Sequence, residues 1–214
     1  MPENYDEMYR RTFAGLGRPL RRGDGVAASR LAAGEKRLGV PLPRALRAFY
    51  AVAGRASDFN NRHDQLLPPT EWSLEGGKLV FLVENQEAVL YGVDVRRRAA
   101  DPPVLMASNA EPYVWQEVCS SCSEFFAVIA HWNGAFGGAM KTGGSVRVQP
   151  SMRRRLERRL TLVGEVNRMW AFSGEGLSVC LLRWNDGWRI FAGAADEATL
   201  EAFAQGCGVT FHAA

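Results

Sequence analysis

Residues suited to covalent or metal chemistry are scarce in this sequence. Its 214 residues include four cysteines and three histidines. Four unevenly spaced cysteines are too few for the disulfide framework of a small secreted domain. Only Cys119 and Cys122 have the spacing of a redox or metal-binding pair, and no histidine lies at the offset that a zinc site needs. We therefore expect no metal and no cofactor, with a redox pair ahead of a helix as the alternative.

Long hydrophobic runs are also absent. The longest, Lys78–Val83 and Phe125–Trp132, fall far short of the about 20 residues that a membrane-spanning helix needs. The segment Met1–Arg10 has no apolar core of the kind that a secretory signal carries. Hydrophobic residues nevertheless make up 47% of the chain, which is enough for a sizeable buried core. We expect a folded, cytoplasmic protein without a membrane partner.

The common catalytic motifs are missing as well. No Gly-x-Ser-x-Gly elbow occurs, and the segment Gly137–Thr142 lacks the glycine that a phosphate-binding loop places before its lysine. The pair His63 and Asp64 could supply a general base, but no nucleophile is placed beside it. The spacing of Glu84 and Glu87 does not identify an acid/base pair. We predict that the protein is not an enzyme.

Lysine is rare, because only three of the 26 basic residues are not arginine. Together with abundant alanine and glycine, this bias favours a GC-rich bacterial genome. The net charge of +3 is unevenly distributed: residues 141–168 hold eight basic and two acidic side chains, and residues 31–140 hold ten and twelve. The arginine-rich helix Arg153–Arg159 is a candidate surface for nucleic acid, with a solvated helix face as the alternative. The lack of interleaved aromatic residues argues against a nucleic-acid partner.

Turn residues and apolar spacing divide the first half of the chain into short elements. Clustered glycines and a proline predict a loosely ordered arm over residues 1–25. A helix is expected from about Val26 to Leu38, and a second one from Pro43 to Gly54. The next elements expected along the chain are strands at Lys78–Glu84, Ala88–Val93 and Val104–Met106, and the helix Phe125–Trp132 with a capping box of Ser121 and Glu124.

The segment after residue 140 predicts a further set of elements, which follow a short linker at residues 141–149. Pro150 begins a helix with Met152 and Leu156 on its apolar face, and Asn185-Asp186-Gly187 is a strong hairpin signal. The other elements expected here are strands at Val166–Phe172, Leu177–Trp184 and Trp188–Ala192, a helix from Asp196 to Gln205, and a last strand at Val209–Phe211.

Several motifs in the first half resemble one known family. They are Glu35-Lys-Arg-Leu-Gly-Val-Pro-Leu-Pro43 with the following Leu46, Phe49, Tyr50 and Gly54; Phe81-Leu-Val-Glu-Asn-Gln86 with Leu90-Tyr-Gly-Val93; and Asp101-Pro-Pro-Val104 followed by Trp115 and Phe125-Phe126. In this order they resemble the SUKH superfamily, also called Smi/Knr-like. The resemblance covers about residues 35–138, and it departs from the family pattern after Gln86, where Glu87-Ala88 stands.

The resemblance implies an α+β fold in which helices pack on a mostly antiparallel, twisted sheet. It implies a SUKH-like domain over residues 26–140, and residues 141–214 would form a strand-hairpin-helix extension packed on the same fold. Bacterial members are mostly immunity proteins that bind and neutralise toxins, and fungal members are regulatory scaffolds. We therefore expect a cytoplasmic immunity protein that binds a cognate toxin stoichiometrically, with a regulatory scaffold as the alternative. The oligomeric state stays open.

Six residues are candidate contacts for a protein partner. Trp72 and Trp115 fall in predicted loops, where we expect them to be exposed anchors. The Glu84-Asn85-Gln86 turn would present polar groups to a partner. The alternative is that Asn85 and Gln86 bond neighbouring backbone groups. The full set of candidates is Trp72, Glu84, Asn85, Gln86, Asp101 and Trp115.

Overall fold

Two antiparallel sheets with helices between and outside them make up the part of the chain that the computed structural model describes, residues 4–137, 140–184 and 187–212. The α+β class expected from the resemblance is confirmed. Among the described residues, no helix has both the length and the apolar character needed to cross a membrane. The helices are α1 (Tyr5–Gly15), α2 (Ala28–Leu38), α3 (Arg44–Ala53), α4 (Ser57–Asn60), α5 (Cys122–Ala135), α6 (Met152–Glu157) and α7 (Glu197–Cys207).

The first sheet has the strand order β1-β3-β4-β5-β6, and β2 pairs with β3 beside this path. The second sheet has the order β7-β11-β10-β9-β8. Every strand pair in both sheets is antiparallel. The strands are β1 (Gln65–Leu66), β2 (Ser73–Glu75), β3 (Lys78–Val83), β4 (Val89–Val93), β5 (Val104–Ser108), β6 (Gln116–Cys119), β7 (Thr142–Val148), β8 (Thr161–Val166), β9 (Met169–Gly174), β10 (Leu177–Trp184) and β11 (Gly187–Ala194).

Helix α5 lies between the two sheets. Its residues are apolar on almost all sides, and a helix of that kind is stable only where every side is covered. Phe125 packs edge-on against Phe81 of the first sheet with ring centroids 5.7 Å apart, and Trp132 packs against Phe191 of the second at 5.3 Å. The helix is therefore the shared core element of both halves of the molecule.

The start of α5 forms half of the predicted capping box. The Ser121 hydroxyl accepts a hydrogen bond from the Glu124 backbone N–H at 3.2 Å, as the motif requires. The Glu124 carboxylate, however, accepts from the Glu165 N–H of β8 at 2.9 Å. A side chain that would close the capping box instead joins the helix to the second sheet.

The expectation of a loosely ordered arm over residues 1–25 is wrong. Residues 5–15 form α1, which buries Tyr5, Tyr9 and Phe13 at intervals of four residues on one helix face. The Tyr9 hydroxyl donates to the Ala45 carbonyl at 3.1 Å, and the Phe13 ring meets Phe59 edge-on at 5.2 Å. The glycines that suggested disorder begin only at the end of this helix.

The second sheet is buried on both faces, because α5 covers one and α6 and α7 cover the other. Along β10, Cys180 belongs to the core around α5, whereas its neighbours Val179 and Leu181 belong to the cluster on the far face. This placement explains the nearly continuous apolar run of Leu177–Trp184, since a strand covered on both faces has no solvent side. The predicted bounds of β10 are confirmed.

Three expectations for the second half need correction. The segment 141–149 is not a linker but mostly β7, whose Gly144 lies so close to the backbone of His212 that a Cβ would come within 2.6 Å of its carbonyl oxygen. Val166–Phe172 is not one strand, because Asn167 and Arg168 adopt positive φ angles of 46° and 63° and form a turn between β8 and β9. Val209–Phe211 is not a strand either, and only an isolated bridge joins His212 to Ser145.

The predicted hairpin between β10 and β11 falls at the edge of a gap. Asn185 and Asp186 lie outside the described residues. The two strands that flank them pair antiparallel from Leu177 opposite Ala194 to Trp184 opposite Gly187. The strand pairing is therefore the one that a two-residue hairpin connection produces.

Candidate functional site

Trp72 is not an exposed anchor, so that expectation is wrong. Its side chain is 1% exposed, and its indole N–H donates to the Tyr50 hydroxyl at 2.9 Å. The Tyr50 hydroxyl in turn donates to the Leu67 carbonyl at 2.6 Å. The indole also lies against Gly34 of α2, where a Cβ would approach it to 2.7 Å. Trp72 thus fastens its loop to the helices, and a loop position did not imply exposure.

Asp101 makes hydrogen bonds that stabilise the fold rather than contacts at a partner surface. Its carboxylate accepts hydrogen bonds from the Ser123 N–H at 2.9 Å and from the Ser123 hydroxyl at 2.5 Å. Ser123 lies in the first turn of α5, where backbone N–H groups lack helical partners and a negative charge is favourable. Asp101 therefore holds the start of the shared helix in place.

Trp115 is half-buried and lies directly before β6. A Cβ at Gly92 of β4 would come within 3.2 Å of its indole ring, so the glycine makes room for the ring. Its indole N–H is buried and has no hydrogen-bond partner among the described residues. Trp115 thus covers the sheet at a place separate from the other candidate residues.

The turn at Glu84-Asn85-Gln86 is exposed at Asn85 and Gln86 and is stabilised by hydrogen bonds within the turn. The Glu84 carboxylate accepts from the Gln86 N–H at 3.0 Å, and the Glu87 N–H donates to the Glu84 carbonyl at 2.8 Å. In the described parts of the chain, the side-chain amides of Asn85 and Gln86 make no hydrogen bond. The turn is therefore fixed by Glu84 rather than by the two amides, which are both exposed to solvent.

Glu84 also lines a cleft of about 320 Å³ between the two sheets, which we call the intersheet cleft. Residues from both halves of the chain form its walls. The described lining consists of His63, Asp64, Glu84, Tyr91, Ile129, Trp132, Val166, Asn167, Met169, Leu182, Arg183 and Trp184.

The His63–Asp64 pair forms the floor of the intersheet cleft. The Asn133 side-chain oxygen on α5 accepts from the backbone N–H groups of His63 at 2.7 Å and of Asp64 at 3.0 Å, which fixes this loop. Nδ1 of His63 lies 2.8 Å from Oδ1 of Asp64, and the Trp132 indole nitrogen lies 3.2 Å from the same Nδ1. One nitrogen cannot donate to the carboxylate and accept from the indole together. The shorter, charge-assisted contact places the proton on Nδ1 and directs it to Asp64.

Two carboxylates share this small space. Burial raises the pKa of Asp64, the hydrogen bond and charge of His63 lower it, and the negative charge of Glu84 raises it. Burial also raises the pKa of Tyr91, with Asp64 and Glu84 as additional causes, so its hydroxyl stays protonated. The described lining thus holds two carboxylates, the buried one of Asp64 and the half-buried one of Glu84, together with the exposed guanidinium of Arg183.

Trp132 and Trp184 line the intersheet cleft and belong to a cluster of aromatic rings. The rings of His63, Trp132, Phe136 and Phe191 contact one another with centroid distances between 4.5 and 5.3 Å. Trp184 extends this cluster outward, with its ring 5.9 Å from Phe191 and 44% of its surface exposed. An exposed indole beside carboxylates suits a cation, because the ring face attracts positive charge.

The described lining of the intersheet cleft contains no serine, threonine or cysteine. The pair Cys119 and Cys122 is buried elsewhere, with free thiols. Burial raises the pKa of the Cys119 thiol to about 11 and that of Cys122 well above its usual value. A reactive thiol needs the opposite shift.

The structure thus brings Glu84, Asn85 and Gln86 to one place and leaves Trp72, Asp101 and Trp115 outside it. Sequence reasoning missed Trp184 as a candidate contact residue. The signal was Arg183-Trp184 at the end of an otherwise apolar strand. Comparison of the chain with protein-family models, with curated proteins and with solved structures gives no match.

Proposed function

We propose that this chain is a protein-binding module without catalytic activity, and that it acts as an immunity protein which neutralises a cognate toxin by stoichiometric binding. One observation carries the proposal. The intersheet cleft presents the exposed Trp184 and the half-buried carboxylate of Glu84 beside a turn whose two amides, on Asn85 and Gln86, are exposed and unpaired.

The rigidity of this surface favours binding. The Asn133 hydrogen bonds fix the loop of His63 and Asp64, and Glu84 fixes its own turn. Groups that are already ordered lose little conformational entropy when a partner docks. The described lining holds no serine, threonine or cysteine, which favours binding over acyl transfer through such a nucleophile.

The chemistry of the intersheet cleft indicates which partner group fits. A lysine or arginine side chain would meet the Glu84 carboxylate and the face of the Trp184 indole. Trp residues are frequent energetic anchors of interfaces, and complementary charge accelerates docking. A basic toxin, such as a nuclease, presents side chains of this kind. A regulatory scaffold with endogenous partners is the second candidate, since it would use the same surface.

The test is co-expression of the tagged chain with each polypeptide encoded by its neighbouring genes. We expect one of these polypeptides to inhibit growth, and the chain to relieve the inhibition and form a complex of equal stoichiometry, seen by native mass spectrometry. If no such polypeptide binds or is toxic, the immunity role is wrong. A non-toxic endogenous partner that needs the same residues would establish the scaffold role instead.

A matched pair of variants tests the surface itself. Trp184→Ala should weaken the complex about tenfold or more, as expected for an anchor residue. Leu162→Ala is the control, because Leu162 is 45% exposed, nearly the same as Trp184, and lies outside the intersheet cleft. Equal affinities of the two variants, measured by isothermal titration calorimetry, would remove the intersheet cleft from the interface.

A further inference from the structure

A second cleft, of about 450 Å³, lies on the far side of the second sheet. It is formed by α6, the end of β7 and the residues that follow α7. Four arginines line it, namely Arg147, Arg154, Arg155 and Arg158, and we call it the arginine cleft. None of the described residues in its lining is acidic.

The frame of this cleft is fixed by packing. Met152 and Leu156 bury the inner side of α6 in the cluster beneath it. The Arg153 guanidinium lies over the Trp170 ring at 4.6 Å and pairs with Glu157 at 2.8 Å. Arg153 therefore lies over Trp170 of β9 and is not part of the arginine cleft. The basic face that the sequence indicated for Arg153–Arg159 is therefore smaller than expected, because Arg153 does not belong to it.

Of the four arginines that line the cleft, Arg147 is already partnered, and the other three, on or directly after α6, fall into two kinds. Arg155 donates to the Cys207 carbonyl at 2.5 Å, which anchors its guanidinium at the C-terminal end of α7. Arg154 and Arg158 are exposed, and neither has a hydrogen bond or ion pair within the described ranges. One fixed guanidinium is thus accompanied by two that are available to a ligand.

We propose that the arginine cleft binds the phosphate group of a phosphorylated ligand. A phosphate carries up to two negative charges and several acceptor oxygens, which match the several guanidinium groups that line this one cleft. A carboxylate offers one charge and two oxygens, too few for this set. The volume suits a small ligand or a short stretch of nucleic-acid backbone. No aromatic side chain is present in the described lining, so bases are not stacked and binding does not depend on sequence.

The test uses the full chain at low ionic strength with three probes: tripolyphosphate, a fluorescent oligothymidylate and poly-glutamate. Binding is measured by calorimetry and by fluorescence anisotropy. The variant Arg154→Glu/Arg158→Glu should weaken phosphate binding by about tenfold or more, because it replaces two attractive charges with two repulsive ones. The control Arg10→Glu/Arg30→Glu changes the net charge equally at exposed helix positions outside the cleft and should leave binding within about twofold.

A third variant separates a site from a charged surface. Arg154→Lys/Arg158→Lys keeps the charge but loses the planar fork, so it should weaken binding less than charge reversal and more than the control. Loss of tripolyphosphate binding in the cleft variants supports a small phosphorylated ligand. Loss of oligothymidylate binding alone supports a phosphodiester backbone.

Three outcomes would overturn the proposal. In the first, poly-glutamate binds as tightly as either phosphate probe. In the second, the control variant loses as much affinity as charge reversal in the arginine cleft. In the third, no probe shows saturable binding to the unmodified chain. Because the intersheet cleft lies on the other side of the second sheet, each result is independent of the immunity role.

Discussion

The two clefts differ in how the chain builds them. The intersheet cleft joins His63 and Glu84 from the first half to Trp184 from the second, and its polar groups are tied to the backbone. The arginine cleft takes most of its charge from Arg154, Arg155 and Arg158 in one short stretch, and two of these side chains are unpaired. The first cleft is therefore a product of tertiary structure, whereas the second is nearly a local property of the sequence.

The second sheet separates the two charges. Its α5 face contributes Met169, Leu182 and Trp184 to a cleft with carboxylates, and its far face carries the arginines. The carboxylates of the intersheet cleft share their lining with Arg183, whereas the described lining of the arginine cleft holds no acidic residue. With a buried sheet between the clefts, the carboxylates of one do not neutralise the arginines of the other.

The variant with the largest expected effect tests whether both clefts depend on the same core helix, α5. Phe126 on α5 is 1% exposed and stacks on Phe49 with ring centroids 3.8 Å apart. Phe126→Ala should lower the free energy of unfolding by about 3–5 kcal/mol, because it removes a buried ring and leaves a cavity. Urea unfolding followed by tryptophan fluorescence and by far-UV circular dichroism should give coincident transitions.

The control for this variant is Phe203→Ala. Phe203 is 8% exposed and belongs to the cluster on the far face of the second sheet. The same ring is deleted there, but nearer the surface, so we expect a smaller loss. Two separate transitions in the Phe126→Ala protein would mean that the halves fold independently and that α5 is not their common core.

The next prediction concerns the pH dependence of stability and a histidine on α5. His131 is buried on α5, its Nδ1–H donates to the Ala127 carbonyl at 2.8 Å, and burial lowers its pKa to about 4. The unfolded chain binds a proton below about pH 6.5, whereas the folded chain binds it only near pH 4. Stability is therefore lost as the pH falls through this window, by about 3 kcal/mol in total.

Unfolding by urea at pH 7 and pH 4.5 measures this loss. His131→Leu should remove most of the difference, because no imidazole is left to protonate. A carboxylate with a lowered pKa, such as Asp94, titrates below this pH window and should add little to the difference in stability between pH 7 and pH 4.5. An unchanged pH dependence in His131→Leu would assign the loss to other groups.

Much of the fold could be predicted because several elements carry a strong local signal. The bounds of β10 and the start of α5 at Ser121 follow from an apolar run and from a cap. Helix α1 was not predicted, although Tyr5, Tyr9 and Phe13 recur every four residues. The clustered glycines that begin at its end are typical of a loosely ordered segment, and they outweighed this spacing.

The candidate site was less accessible to prediction. The Glu84-Asn85-Gln86 turn was identified, whereas Trp72 was misplaced, because its burial depends on Tyr50 and Gly34 far away in the sequence. The role of Trp184 depends on α5 placing two sheets side by side, and no local pattern encodes that. Charge concentrated in one segment, as in the arginine cleft, is visible in a sequence, but a cleft assembled from both halves is not.

The variants with the smallest expected effects compare a hydrogen-bonded side chain of the intersheet cleft with an unpaired side chain of the arginine cleft. Glu84→Ala removes the acceptor for the Gln86 N–H and should lower stability by about 1 kcal/mol. Arg158→Ala removes an exposed, unpaired side chain and should change stability by less than about 0.5 kcal/mol. Equal losses in the two variants, measured by urea unfolding, would contradict the distinction between the clefts.

Glu84→Gln separates the charge of this residue from its hydrogen bond. The amide oxygen of glutamine still accepts from the Gln86 N–H, so the turn and the stability should be preserved. The negative charge is lost, and because that charge raises the pKa of Asp64, the pKa of Asp64 should fall. Carboxyl chemical shifts followed by NMR over a pH titration would show the change. If the pKa of Asp64 does not move, the two carboxylates do not act as one charged wall, and the attraction of the intersheet cleft for a cation depends on Asp64 and the indole of Trp184 alone.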